Sequence, residues 1–185
     1  KIYEAINNKK GIADSYNGIG IVYSFQGNFQ KALKNFFASL KIKEAIGDKS
    51  GIASSYNNIG EIYTYQGNYI EALKNFKICL KIMEAMGNKA GIAASYSNIG
   101  IVSTKQKQYK KAEEYLIKSK ELSIEIGLKD NLKYIYKGLT ELDIAKGNFK
   151  EAFKNNKLYI LYRDSLNNEE THKKIRVELE NRQKQ

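Results

Sequence analysis

The 185-residue sequence contains no proline and no tryptophan, and only one cysteine and one histidine. Without proline no helix is forced to stop or kink by a missing N–H, so long helices ended by other residues are the natural reading. Cys79 alone cannot build an internal disulfide framework, and His172 alone leaves no histidine cluster for a metal site or a catalytic triad. No apolar run approaches the roughly 18 residues of a spanning helix, and the opening residues lack the regions of a secretory signal, so direct membrane insertion is not expected. The dinucleotide pattern Gly-x-Gly-x-x-Gly fails because Tyr23 stands where a third glycine would follow Gly18 and Gly20, and no phosphate-loop pattern occurs. Neighbouring acids such as Glu113 and Glu114, or Glu169 and Glu170, point apart on a helix, which is poor geometry for paired acid/base work. No catalytic residue, metal ligand or cofactor is therefore expected.

What the chain does contain is 42% hydrophobic and 28% charged residues, enough for a buried core, and a period of forty residues. Copies open at Gly11, Gly51 and Gly91, and a more diverged one runs from Asn131 to Glu170. The first two copies are identical at more than half of their positions. Residues 1–10, KIYEAINNKK, align with the end of the first copy, KIKEAIGDKS, and are read as the end of a preceding repeat helix in a longer protein. Four repeats follow at 11–50, 51–90, 91–130 and 131–170.

Within a copy the apolar residues follow the helical period. Tyr56, Ile59, Ile62 and Tyr63 form one stripe, and Ala72, Leu73, Phe76, Cys79 and Leu80 form a second after a break at Gly67–Asn68. Glycine and asparagine tolerate positive φ, so each copy reads as a helix, a short turn and a longer helix, closed by Gly47–Asp48, Gly87–Asn88 or Gly127. Gly20, Gly60 and Gly100 on first helices, and Ala32, Ala72, Ala112 and Ala152 on second helices, mark where the two cross closely. One hairpin cannot bury both its faces, so successive copies must stack. The expected fold is all-α: an α-solenoid of stacked antiparallel helix pairs.

The recurring frame Tyr56, Ile59, Gly60, Tyr63, Gly67, Tyr69, Ala72 and Phe76 resembles the tetratricopeptide repeat, over essentially residues 1–170. Two departures stand out: a period of forty rather than about 34, and no closing proline, which together predict a second helix about a turn longer. This longer form resembles the repeats of kinesin light chain and of bacterial peptide-responsive regulators. Copies three and four drift, with Lys107–Gln108 in place of Gly–Asn, and Thr140, Asp143 and Asn156 at the small, aromatic and phenylalanine positions. That drift reads as a polar outer face ending the array.

The resemblance implies a right-handed superhelix whose concave groove is lined by first helices. Its groove positions fall on Asp14, Asn17, Gly18, Ile21 and Phe25 in copy one, and on Ser54, Asn57, Asn58, Glu61 and Tyr65 in copy two. In copies three and four they fall on Ser97, Asn98 and Ile101, and on Tyr134, Lys137 and Glu141. Asn58 and Asn98 stand one repeat apart; their amides can pair with the N–H and C=O of an extended peptide, or bond neighbouring helices. Lys137 is the only cation in this set, so no basic clamp for a terminal carboxylate is implied, and a peptide or protein segment with some positive charge is the expected partner.

The net charge of +11, from 31 basic and 20 acidic residues, lies elsewhere. Gly11–Phe25 contains one charged residue, Asp14, and Gly51–Tyr65 contains one, Glu61, while lysines crowd the second helices and the tail. Nucleic-acid binding needs a continuous basic stripe interleaved with stacking aromatics, and here the aromatics belong to the repeat core, so no nucleic-acid partner is expected. Residues 171–185 are read as a charged capping or linker helix, with Ile175 and Leu179 four apart as a stripe that packs on the last repeat or serves as a homodimer seam. The stretch YRDSLNNEE before it is similar to the junction after the repeats in bacterial sensor histidine kinases. The functional expectation is a non-catalytic peptide- or protein-binding module, a sensory or scaffolding fragment of a larger bacterial signalling protein. A structural, dimerising element acting through the C-terminal helix is the alternative.

Overall fold

In the computed structural model, residues 8–164 are described, and they form eight helices and no strands. These are α1 (Lys9–Phe25), α2 (Phe29–Ala45), α3 (Lys49–Tyr65), α4 (Tyr69–Ala85), α5 (Lys89–Lys105), α6 (Tyr109–Glu125), α7 (Lys129–Lys146) and α8 (149–164). The expectations for residues 171–185, and for 1–7 of the stretch 1–10 read as the end of an earlier helix, lie outside the described residues, whereas Asn8 caps α1 and Lys9 and Lys10 open it rather than ending an earlier helix.

Local chemistry sets the helix ends. The side chains of Asn8, Asn28, Asp48, Asn68 and Asn88 each accept from the backbone N–H three residues on, satisfying one of the orphan donors of the first turn. Six of the seven turns place a glycine at positive φ, between 63° at Gly87 and 78° at Gly147; the first is Gly27 at 71°. In the first of them Gly27 N–H donates to the Ser24 carbonyl and Asn28 N–H to that of Tyr23, closing the helix end. At the remaining turn Lys107 takes the same left-handed conformation, φ 60°, and Gln108 makes no side-chain cap. The turn geometry is imposed by the hairpin rather than by the local residues.

The second helix is not the longer one. First and second helices of the first three copies all have 17 residues, and the first opens at Lys9, Lys49 or Lys89, ahead of the glycine that starts each copy. Asp48 and Asn88 explain the difference: each follows a helix-ending glycine and also caps the next helix, so the additional residues of the long period are shared by both helices.

Hairpins α1–α2, α3–α4 and α5–α6 pack internally, and each second helix packs on the following first helix. The core therefore lies between copies. Ala32, Phe36 and Leu40 of α2 cluster with Ile59 and Ile62 of α3; Phe76 and Leu80 of α4 cluster with Ile99 and Val102 of α5. Leu116 of α6 clusters with Ile135, Leu139 and Leu142 of α7, against which Tyr159 and Tyr162 of α8 also pack. This stack of hairpins, each burying its neighbour's apolar face, is an α-solenoid. The last described helix is less polar outside than expected, since Phe149, Phe153 and Leu161 are exposed on α8.

Fine packing varies between copies by matched exchange. Ser39 and Ser119, on second helices, donate to the carbonyls of Ala13 and Ala93 at 2.7 and 2.6 Å; Cys79 holds the equivalent place beside Ala53. Burial pushes the Cys79 thiol above its ordinary range, partly offset by its contact with Ser95, and it is 3% exposed, which suits a packing residue rather than a reactive one. Cys79→Ser is expected to keep stability within about 1 kcal/mol, because the hydroxyl gains the carbonyl bond that its counterparts make. Thermal unfolding checks this, and a loss beyond about 3 kcal/mol would contradict it.

Candidate functional site

First helices α3, α5 and α7 wall a cleft of about 770 Å³. It brings together Asn57, Asn58, Glu61 and Tyr65 from α3, Asn98 and Ile101 from α5, and Tyr134 and Lys137 from α7. Asp14 and Asn17, on α1, do not line it. Asp14 stands 3.9 Å from the Nζ of Lys43, and Asn17 meets the cleft through Asn58. Ser54, Ser97 and Glu141 line the cleft as well, whereas Gly18 lies in a separate 560 Å³ hollow on α1 with Ile19 and Val22.

The asparagines form an amide ladder across the first helices. Asn58 Nδ2 donates to Asn17 Oδ1 at 2.9 Å, and Asn98 Nδ2 donates to Asn57 Oδ1 at 2.9 Å. Asn57 Nδ2 in turn donates to Glu61 Oε1 at 2.8 Å. One N–H of Asn58 and of Asn98 thus ties neighbouring helices, while their Oδ1 atoms accept nothing among the described residues. The next rung would join positions 138 and 97, but Gly138 has no side chain, and a Cβ there would lie 3.0 Å from Ile101 and 3.1 Å from Leu116. The ladder ends where α5 and α7 come into direct contact.

Sequence reasoning missed Lys105, Asp130 and Asn131, which also line the cleft. Lys105 was legible from the period, since it holds the place of Phe25 and Tyr65. Asn131 was not: its amide donates to Ser119 and Ser123 at 3.2 and 2.8 Å, contacts that depend on how α6 meets α7. Tyr65 stacks on Phe29 at 5.8 Å between centroids, and Tyr134 carries Lys133 over its ring at 4.7 Å. Both rings keep an exposed face.

Glu61 reaches solvent, yet the concave wall crowds it, and this desolvation pushes its carboxyl above the ordinary 4.5, with the Asn57 bond pulling the other way. The folded state therefore holds this proton more tightly than the unfolded chain does. Glu61's contribution is most favourable below pH 4.5 and is lost as pH rises through the raised folded value. Glu61→Gln keeps an acceptor for Asn57, so it is expected to melt higher than the parent at pH 7.5 and at the same temperature at pH 3.5. Equal melting at both pH values would contradict the desolvation.

Among the described residues no group of His, Cys, Asp and Glu side chains is placed to hold a metal ion, and no helix is long and apolar enough to cross a membrane.

A family model described as tetratricopeptide repeat matches residues 11–85 and 51–123. No curated protein matches the sequence. Among solved structures the chain is similar to BtubC (BKLC) from P. vanneervenii, with 18% identity and a TM-score of 0.71 over 84% of this chain and 64% of that one. It is similar to the apo form of RapI, with 20% identity and a TM-score of 0.72 over 88% and 45% of the two chains. Aspartyl phosphate phosphatase F from Bacillus subtilis has 16% identity and a TM-score of 0.76 over 86% and 42%. At such identities the likeness is one of fold, and the chain spans less than two thirds of the length of each. With the forty-residue hairpins, their stacked cores and a family match over more than half of its length, the chain belongs to the tetratricopeptide repeat family, a scaffold for binding other proteins.

Proposed function

We propose that the chain is a non-catalytic binding module that holds an extended peptide or protein segment in the cleft of α3, α5 and α7, as the sensory or scaffolding part of a larger bacterial signalling protein. The observation that carries this reading is the amide ladder. Asn58 and Asn98 are held in place by one N–H each, and each retains an Oδ1 for a backbone N–H of a bound segment. An amide fixed beforehand loses little side-chain freedom on binding, which favours affinity. Backbone recognition of this kind is indifferent to side chains, and Ile101, Tyr65 and Tyr134 add apolar surface for them. The signalling role rests on the similarity of the YRDSLNNEE junction to that of sensor histidine kinases.

Peptides selected from a random dodecamer display library provide the test. Asn58→Ala and Asn98→Ala are each expected to weaken the selected peptides by roughly tenfold, measured at 10 °C where circular dichroism verifies the fold. Each also costs stability by about 0.5–1.5 kcal/mol, since a helix-to-helix hydrogen bond is lost. Peptides that bind both variants as tightly as the parent would place recognition outside the groove.

A further inference from the structure

Glu61, Ile101 and Glu141 hold the same position in three successive first helices, and all three line the cleft. A chain crossing those helices meets acid, apolar and acid in turn. Several carboxylates outside the cleft are neutralised by lysine. Glu113, Glu114 and Glu151 are paired with Lys146, Lys118 and Lys154 at 2.8, 2.7 and 2.6 Å. Glu61 accepts only from the neutral Asn57, and Glu141 has neither hydrogen-bond nor ion-pair partner among the described residues. Asp130 lines the cleft as well without an ion pair among the described residues, so what sets Glu61 and Glu141 apart is their shared place in successive copies, two carboxylates open to a cation in a chain with 31 basic residues. Lys137 lies one turn before Glu141 on α7 without an ion pair to it, and Lys105 stands one turn beyond Ile101, so the cleft is not uniformly acidic and the two acids act as local points.

A second observation falls between them. Ser97 is 2% exposed, lines the same cleft, and its Oγ has no hydrogen-bond partner among the described residues. It stands where the amide ladder stops at Gly138, one turn before Ile101 on α5. A buried hydroxyl without a partner is costly, and the backbone of a bound segment would supply one.

We propose that the cleft recognises an extended peptide with two cationic side chains flanking an apolar one, Glu61 and Glu141 taking the cations, Ile101 the residue between them, and Ser97 the backbone. This rests on the groove reading above and adds the ligand's chemistry. Two helix-to-helix steps of about 10 Å each, at roughly 3.1 Å per residue of a polyproline II chain, put the cations about six residues apart, and about three residues per turn bring the middle residue to the same face.

Fluorescence anisotropy with labelled Arg-Ser-Ser-Leu-Ser-Ser-Arg tests this, beside two counterparts in which both arginines are glutamine or both are glutamate. The arginine peptide is expected to bind roughly tenfold tighter than the glutamine one, the glutamate one weakest, with the differences shrinking in 0.5 M NaCl as surface charge is screened. Glu61→Gln and Glu141→Gln each lower the affinity of the arginine peptide about fivefold and that of the glutamine peptide by less. Ser97→Ala weakens the arginine and glutamine peptides alike. Equal affinity of the three peptides, no binding by the arginine one, or indifference of that peptide to both carboxylate variants overturns the proposal. Library-selected peptides that are neutral or acidic yet depend on Asn58 and Asn98 would overturn it while leaving the groove reading intact.

Discussion

Gly60→Leu is expected to destabilise the array by about 3 kcal/mol, at the upper end of what overpacking costs. A Cβ at Gly60 would lie 2.7 Å from Cε1 and 2.9 Å from Cδ1 of the Phe76 ring, well inside contact distance. Phe76 is 2% exposed and packs with Leu80, Ile99 and Val102, so the ring has nowhere to turn. The pair α3–α4 must spread instead, and with it the seat of α5. The same geometry recurs at Gly20, where a Cβ would lie 2.6 Å from Phe36. Chemical denaturation reads the loss directly, and a variant that unfolds at the parental midpoint would show the close approach to be wrong.

The complementary change removes the ring. Phe76→Ala deletes an aromatic side chain that joins two copies, and is expected to cost about 3–5 kcal/mol, in the range of buried aromatic truncations. Because stability in a stack is a sum of hairpin and interface contributions, loss at α4–α5 uncouples the first two copies from the rest, and the unfolding transition broadens. Combining Phe76→Ala with Gly60→Leu is expected to cost less than the sum, since the leucine fills part of the cavity that the ring leaves. The later copies follow this exchange: Gly100 faces Leu116, and in the fourth copy Thr140 and Asn156 stand at the corresponding positions. Strict additivity in the double variant would mean that the two residues do not share the space.

The turns were legible because glycine and asparagine have few other uses at those places: a glycine at positive φ followed by a side chain that caps the next helix. Lys107 shows the limit, since the backbone conformation persists where the glycine does not. Stacking was legible from arithmetic alone, as one hairpin carries more apolar surface than it can bury. The groove came from family resemblance and not from periodicity, and the structure gathers its α3, α5 and α7 members in one cleft while Asp14 and Asn17 fall outside. Which asparagine bonds which was not readable. The rungs join residues 41 apart, an offset set by how successive hairpins are staggered, and that stagger emerges only from packing.

Lys43 is the clearest residue that composition misreads. Lysines near a helix end suggest a solvated charge, yet this one is 3% exposed, its stem lying where a Cβ on Gly51 would meet Cδ at 2.7 Å. Met83 does the same over Gly91, and in the next copy the smaller Ser123 faces Asn131. A long side chain over glycine, and a short one opposite asparagine, keep the volume at this joint filled. Only the pairing across copies reveals it.

The central claim is that first helices form the binding surface of a stack that second helices and inter-copy cores hold together. Amide chemical-shift mapping with a library-selected peptide tests it most directly. The account predicts shifts concentrated at Asn57, Asn58, Glu61, Asn98, Ile101 and Lys137. Shifts confined to the second helices α2, α4 and α6, with those positions unmoved, would contradict it.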